Sequence, residues 1–296
     1  MLVTMKEILL RANKGGYAVA APNVCSELDA RGALEAAEEL SAPVILAVAG
    51  HAHPDMVFFG RYLTELCARS KVPAAINLEH GTEYAHAIRA IRAGFTSIMI
   101  DRSTLPFEEN VREVSELVKV AHSVGVTVEA ELGHVGQGQS YDDDRDAGLT
   151  DPDQAKEYIE RTGVDCLAVA IGTAHGAYKG VPHLDFARLE KISQVVGADY
   201  PLVLHGSSGT GNEALAKVCT MGINKVNIAY DLMKAANDAV IEARLEGNGI
   251  YSVWDVLKKG YREKLKRQIE VFGSAGKAWT VIPEGMPRAD IVMEEK

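Results

Sequence analysis

Eight short apolar runs recur along the chain, at residues 17–23 (YAVAAPN), 43–49 (PVILAVA), 73–79 (PAAINLE), 96–101 (TSIMID), 127–133 (TVEAELG), 165–172 (DCLAVAIG), 201–206 (PLVLHG) and 225–230 (KVNIAY). Each is almost continuously hydrophobic, which is the pattern of parallel strands buried on both faces. The segments between them, such as LDARGALEAAEELSA and EYAHAIRAIRAG, repeat apolar residues at helical spacing. Gly94, Gly125, Gly163 and Gly222 stand between a helical segment and the next apolar run, where a left-handed residue stops a helix. Eight β–α alternations over 296 residues predict an α/β fold, a (β/α)8 TIM barrel in a single domain spanning 1–296. A doubly wound open sheet is the alternative, and it lacks its usual signature because no GxGxxG follows the first strand. The tail from Tyr251 to Phe272 predicts one or two extra C-terminal helices.

Charge and cysteine usage narrow the function. A formal net charge of -10 argues against a nucleic-acid partner, which would demand a basic face. A phosphate on a substrate must then be held by local groups, since the overall field repels it. Cys25, Cys67, Cys166 and Cys219 are widely spaced with no CxxC pair, and they read as buried free thiols in a reducing cytosol. The N-terminal MLVTMKEILLRANKGG mixes charges into its apolar stretch, so it reads as an amphipathic helix and not as a signal peptide. No apolar run approaches the roughly 20 residues that span a bilayer. The expected setting is therefore cytoplasmic, without membrane or nucleic-acid partners.

The candidate chemistry gathers at strand ends, where a barrel builds its active site. His80, His175 and His205 each end an apolar run and each precede glycine. Neutral imidazole is a common zinc ligand, and three with an open fourth position is the arrangement of a catalytic ion. The same face receives Glu79, Asp101, Ser103, Glu129, Glu131, Gly176, Gly206, Ser207, Ser208 and Asn227. Asp101 and Glu131 either orient the imidazoles or cap loops. His51, His53, His86, His122, His134 and His183 lack the strand-end setting and read as surface or loop residues. The GSSG turn at 206–209 opens a helix after the seventh strand, a common place for phosphate in barrels. The long polar loop 134–152 reads as a mobile lid over the substrate.

At these residues the sequence resembles the class II, metal-dependent fructose-bisphosphate/tagatose-bisphosphate aldolase family. The resemblance runs over nearly the whole chain through NLEHG, SIMIDRSTLPFEEN, VEAELGHVG, TDPDQA, AVAIGTAHGAYKG, LVLHGSSG, INKVNIA and FGSAGKA. It implies a barrel fold and one catalytic Zn2+ held by His80, His175 and His205. Glu131 would lie near the metal as a ligand or orienting group, and Asp101 with Ser103 would line the site. Gly176, Gly206 and Ser208 would hold the ketose phosphate, Asn227 would contact the reacting enediolate, and Lys179 would lie near that phosphate or a monovalent cation. Dimers or tetramers are the implied assemblies.

Four features depart from the family pattern. Glu79 stands where the motif usually has aspartate as the acid/base. Ala229 and Tyr230 follow Asn227-Ile228 where a threonine usually bonds phosphate, and Ser207 puts a Cβ into the phosphate turn. The lid run GQGQSYDDD lacks the usual catalytic glutamate, leaving Asp142 to Asp144 as its nearest carboxylates. These departures leave three readings: an aldolase for a ketose (bis)phosphate, an aldolase for a non-phosphorylated or acid sugar, and a metal- or sugar-binding barrel with altered catalysis.

Overall fold

All eight apolar runs become strands of one parallel sheet: β1 (Val19–Pro22), β2 (Val44–Ala49), β3 (Ala74–Gly81), β4 (Ser97–Ile100), β5 (Thr127–Leu132), β6 (Cys166–Val169), β7 (Leu202–Leu204) and β8 (Ile223–Ile228). The structure, a computed structural model, describes residues 1–140, 146, 148–180 and 182–280. The hydrogen-bonded order is β1-β8-β7-β6-β5-β4-β3-β2. A single bridge between Asn23 and Ala47, with Val24 N–H donating to the Ala47 carbonyl at 2.9 Å, draws β1 against β2 and nearly closes the barrel.

The helices are α1 (Met5–Gly15), α2 (Glu27–Glu39), α3 (Met56–Ala68), α4 (Tyr84–Ala93), α5 (Phe107–Ser123), α6 (Pro152–Thr162), α7 (Phe186–Val196), α8 (Asn212–Thr220), α9 (Tyr230–Ala243) and α10 (Val253–Val271). The four predicted stop glycines all take positive φ, Gly94 at 92° and Gly163 at 72° as helix caps and Gly125 and Gly222 just beyond helix ends. The C-terminal tail resolves into one short 3-10 turn at Gly247–Ser252 and the single helix α10, which packs against α2 and α9. Among the described residues no helix is long and apolar enough to cross a membrane.

Two apolar layers result. One lies between the sheet and the outer helices. The other fills the lower barrel, where the amphipathic N-terminal segment becomes α1 and plugs the strand starts with Met5, Ile8, Leu9 and Ala12, all fully buried. Small inward residues Ala21, Ala47, Ala75 and Ala168 leave room for that plug. Its docking is polar at the edges: Val3 N–H reaches the Ala74 carbonyl at 2.9 Å, Lys6 N–H reaches Thr127 Oγ1 at 3.1 Å, and Asn13 Nδ2 reaches Asn224 Oδ1 at 3.0 Å.

Candidate active site

The opposite end of the barrel is charged. Strand side chains alternate in direction, so residues two apart share the interior. That rule brings Asn77 with Glu79 on β3, Glu129 with Glu131 on β5, and Lys225 with Asn227 on β8 into the barrel, and all six are buried. It forbids Glu79 and His80 from facing the same cavity. A bulge resolves the conflict: the β3–β4 register shifts between Leu78 and Gly81, and His80 takes φ 46°. The extra residue re-aims the strand end, as bulges beside active sites do, and both side chains line one cleft. Gly81 follows because a Cβ there would meet the Met99 carbonyl at 2.8 Å.

The three imidazoles converge. His80 Nε2 lies 3.2 Å from His175 Nε2, and a ligating atom from each of His80, His175 and His205 falls within a 4.8 Å group. Each ring is oriented by something else. His80 Nδ1–H donates to Asp101 Oδ2 at 2.8 Å, leaving Nε2 for a ligand. Asp101 is itself held by Ser103, whose Oγ sits 2.6 Å from Oδ1. His175 is fixed through its backbone: its N–H donates to the Gly136 carbonyl at 2.8 Å and its carbonyl accepts from Gly138 N–H at 2.8 Å, zipping the β5 and β6 loops together. His205 Nε2–H donates to Glu129 Oε1 at 2.9 Å, and its Nδ1 lies 3.1 Å from Glu79 Oε1. His80, Asp101 and Glu131 form a second convergent set, with Glu131 Oε1 accepting from Val135 N–H at 2.9 Å and Oε2 buried without a partner.

Electrostatics follow the geometry. Burial raises the cost of ionising Glu79, but Lys225 and His205 outweigh it and hold the carboxyl well below its usual range. Burial likewise opposes charge on His205, yet Glu79 and Glu129 push its pKa up to about 10. His80 rises despite burial because Asp101 bonds its ring. Burial, reinforced by the neighbouring His80 and His205, depresses His175 to about 3. Burial and the nearby Asp101 raise Glu131.

The cleft, of about 220 Å³, is lined by Glu79, His80, His175, Gly176, Gly206, Ser207, Ser208, Asn227, Ala229 and Tyr230, together with Asn23, Ala49 and His51. Asn227 Nδ2–H donates to Glu79 Oε1, while its Oδ1 is buried without a hydrogen-bond partner among the described residues. Gly206 has φ 67°, and a Cβ there would meet the Ala174 carbonyl at 2.5 Å. Tyr178 ties this turn to the β6 loop, accepting from Ala174 N–H at 2.6 Å and donating to the Gly206 carbonyl at 2.9 Å. Ser207 is turned away from the cleft mouth: its Oγ donates to the Asn227 carbonyl, bracing β7 against β8. Ser208 Oγ accepts from Asp231 N–H at 3.1 Å and caps α9, whose own N-cap Ala229 cannot. Tyr230 is 42% exposed at the rim.

Some assignments shift. His51, read as a loop residue, lines the cleft with Asn23, because the ends of β1 and β2 complete its wall. His134, also read as peripheral, joins the hydrogen-bonded chain behind His80, with Nδ1 2.9 Å from Ser103 Oγ. Lys179 is exposed and does not line the cleft. Lys225 was not singled out from sequence, and it is fully buried under the site. The roots of the loop over 134–152 are pinned, His134 N–H to the Gly148 carbonyl at 2.7 Å and Thr150 Oγ1 to the Leu132 carbonyl. Asp142 to Asp144, the lid carboxylates, lie outside the described residues.

Known proteins resemble this chain in sequence and in fold. The sequence model of the family described as "Fructose-bisphosphate aldolase class-II" matches residues 3–277. A fructose-bisphosphate aldolase of Thermus caldophilus is 41% identical over 310 residues, covering 94% of this chain and 100% of the relative. That of Geobacillus stearothermophilus is 41% identical over 288 residues, covering 94% and 99%. Among solved structures, the YdjI aldolase from Escherichia coli K12 superposes with a TM-score of 0.84 at 34% identity, covering 94% of this chain and 100% of the other. With a match across almost its full length in sequence and in fold, the chain belongs to the class II fructose-bisphosphate aldolase family and is an aldolase, a carbon–carbon lyase.

Proposed function

We propose that the chain is a zinc-dependent aldolase that cleaves a ketose phosphate of the fructose- or tagatose-bisphosphate kind into dihydroxyacetone phosphate and an aldehyde. The observation that carries the reading is the convergence of three imidazoles with one buried, ionised carboxylate at a single cleft, which His80, His175 and Glu79 line while His205 is buried behind them. The donor set fits zinc: His205 turns Nδ1 toward Glu79, His80 keeps Nε2 clear of Asp101, and an ion held there would displace the proton that Glu79 and Glu129 favour on His205, leaving three imidazole ligands and an open side. Bound there, zinc supplies Lewis acidity toward the ketose carbonyl.

The protein's own groups do the rest. Glu79 takes the proton of the hydroxyl on the carbon β to the carbonyl as the carbon–carbon bond breaks. That carbon leaves as the aldehyde, and the bonding pair stays on the carbon beside the carbonyl, which takes up a proton to give the second product. Asn227 Nδ2–H holds Glu79 in place, and its unpartnered Oδ1 is available to a substrate hydroxyl. The turn after β7 and the start of α9 line the cleft, and the N-terminus of a helix suits an anion. Tyr230 at the rim favours a second reading, an unphosphorylated or acid ketose, because its ring crowds the place where threonine would bond phosphate. The same proposal takes the protein as a cytosolic homodimer or homotetramer, and its four unpaired cysteines suit a reducing compartment.

Cleavage of fructose 1,6-bisphosphate, tagatose 1,6-bisphosphate and a panel of free ketoses tests the reading. We expect turnover with a phosphorylated ketose, abolished by chelation and restored by zinc. Zinc-loaded protein inert toward every ketose would overturn it.

A further inference from the structure

Lys225 is a lysine with no exposed surface, placed by β8 in the barrel interior one layer below the cleft. Its Nζ lies 2.6 Å from Glu129 Oε2 and 3.6 Å from Glu79 Oε2. Glu129, with no side-chain exposure of its own, uses its other oxygen to accept His205 Nε2–H at 2.9 Å. Glu79 meets the same imidazole on its other nitrogen, Oε1 lying 3.1 Å from Nδ1. One ammonium group therefore grips two carboxylates that flank one ring.

A buried ion pair is poor evidence for stability, because desolvating two charges offsets most of their attraction and apolar replacements often do as well. The lower barrel fills the same interior with alanine, valine and isoleucine. The charges appear only where an imidazole must be held by its rear nitrogen. Groups that bond the far side of a ligating histidine fix its tautomer and its direction.

We infer that Lys225 and Glu129 are positioning residues for the metal: Lys225 locks the Glu129 carboxylate, Glu129 accepts the Nε2 proton of His205, and His205 is thereby committed to ligate through Nδ1. His80 is committed the other way, since Asp101 holds its Nδ1 and leaves Nε2. The site thus takes its ion through unlike nitrogens of two histidines, each set by a carboxylate behind it. Neither Lys225 nor Glu129 lines the cleft, so they act through His205 and not on the substrate.

The inference rests on the proposed metal reading, and wild-type zinc stoichiometry separates the two. The double variant Lys225→Met with Glu129→Gln removes both buried charges together, so neither is left unpaired. It is compared with wild type for zinc affinity by chelator competition and for the visible absorption of the Co2+-loaded protein. We expect zinc affinity to fall 10–100-fold, as for other groups behind metal-bound histidines, with a shifted Co2+ spectrum. A folded double variant with wild-type affinity and spectrum would overturn the inference while leaving the metal reading intact. Should the double variant not fold, 15N-histidine NMR of zinc-loaded wild type decides: His205 bound through Nδ1 and His80 through Nε2 supports it, and His205 bound through Nε2 overturns it. Wild type that holds no zinc at these histidines sinks both.

Discussion

The two ends of the barrel interior are built from the same eight strands and share almost no chemistry. At the strand starts the interior is mostly alanine and valine around the buried face of α1, with charge only at its edge in the Lys6–Asp165 pair. A few residues further along the same strands it is Lys225, Glu129, Glu79, Glu131 and His205, every one of them buried. Apolar burial contributes stability in proportion to area, about 25 cal/mol per Å². Buried charge contributes little net stability, so its concentration at one end marks a place selected for something else. The plug stabilises the barrel so that the other end can carry ionised groups out of water.

That contrast can be broken at either end, and the largest effect is expected at the imidazoles. His175→Ala, or chelation of wild type, should abolish cleavage and zinc binding together, read by metal analysis beside an aldolase assay. Full zinc at unchanged affinity in His175→Ala would remove it from the ligand set. Next comes Glu79→Gln, which should lower kcat by about 10²–10⁴-fold, the usual contribution of a general acid–base group, with zinc content intact. Near-normal turnover would move the proton transfer to another carboxylate. At the sealed end, Ile8→Ala should cost about 2–5 kcal/mol of stability, the range for deleting buried methylenes, and leave kcat and KM unchanged below the lowered Tm. A kinetic change without loss of stability would mean that the plug and the cleft are coupled.

The smallest effect is expected at the rim. Tyr230→Thr should raise the kcat/KM ratio of phosphorylated over free ketose about tenfold, one new hydrogen bond to a charged acceptor being worth roughly 1.5–3 kcal/mol at its best. Ser207 is a poor target for the same purpose, because its Oγ is spent on the Asn227 carbonyl and does not occupy the turn. An unchanged ratio in Tyr230→Thr would leave the departure at 230 without a role in substrate choice.

How much of this was legible before folding depends on whether the signal is local. The strands were, because burial on both faces writes itself as continuous apolar runs, and each of the eight runs overlaps a strand. The three histidines were, because each ends such a run. Lys225 was not: within NKVNIA it looks like an ordinary polar residue, and only the pairing of β8 with β1 and β7 turns it inward beneath the cleft. His51 and Asn23 were missed for the same reason, since the wall they complete is formed by strands that meet only on closure. The face of Glu79 was legible only by accident, because period-two alternation would have separated it from His80 without the bulge. The role of α1 as a plug also lay beyond local pattern, which gave an amphipathic helix but not its partner.

The closure of the ring has a consequence for how the protein is made. β1 pairs only with β8 along its length, more than 200 positions later, and the segment after α10 returns to the beginning, with Phe272 accepting from Ala18 N–H at 3.0 Å and Gly276 and Ala278 donating to Leu40 and Ser41 at 2.8 Å. A nascent chain on the ribosome can assemble the middle strands early, since each pairs with its neighbour. It cannot complete the ladder of its first strand until β8, more than 200 positions later, has emerged. The half-built sheet must wait with two raw edges, and the histidines and carboxylates meant for the interior stand open to solvent until the ring closes. Ribosome-bound intermediates of this chain are thus the stage at which chaperones and stray metal ions have their best access to it.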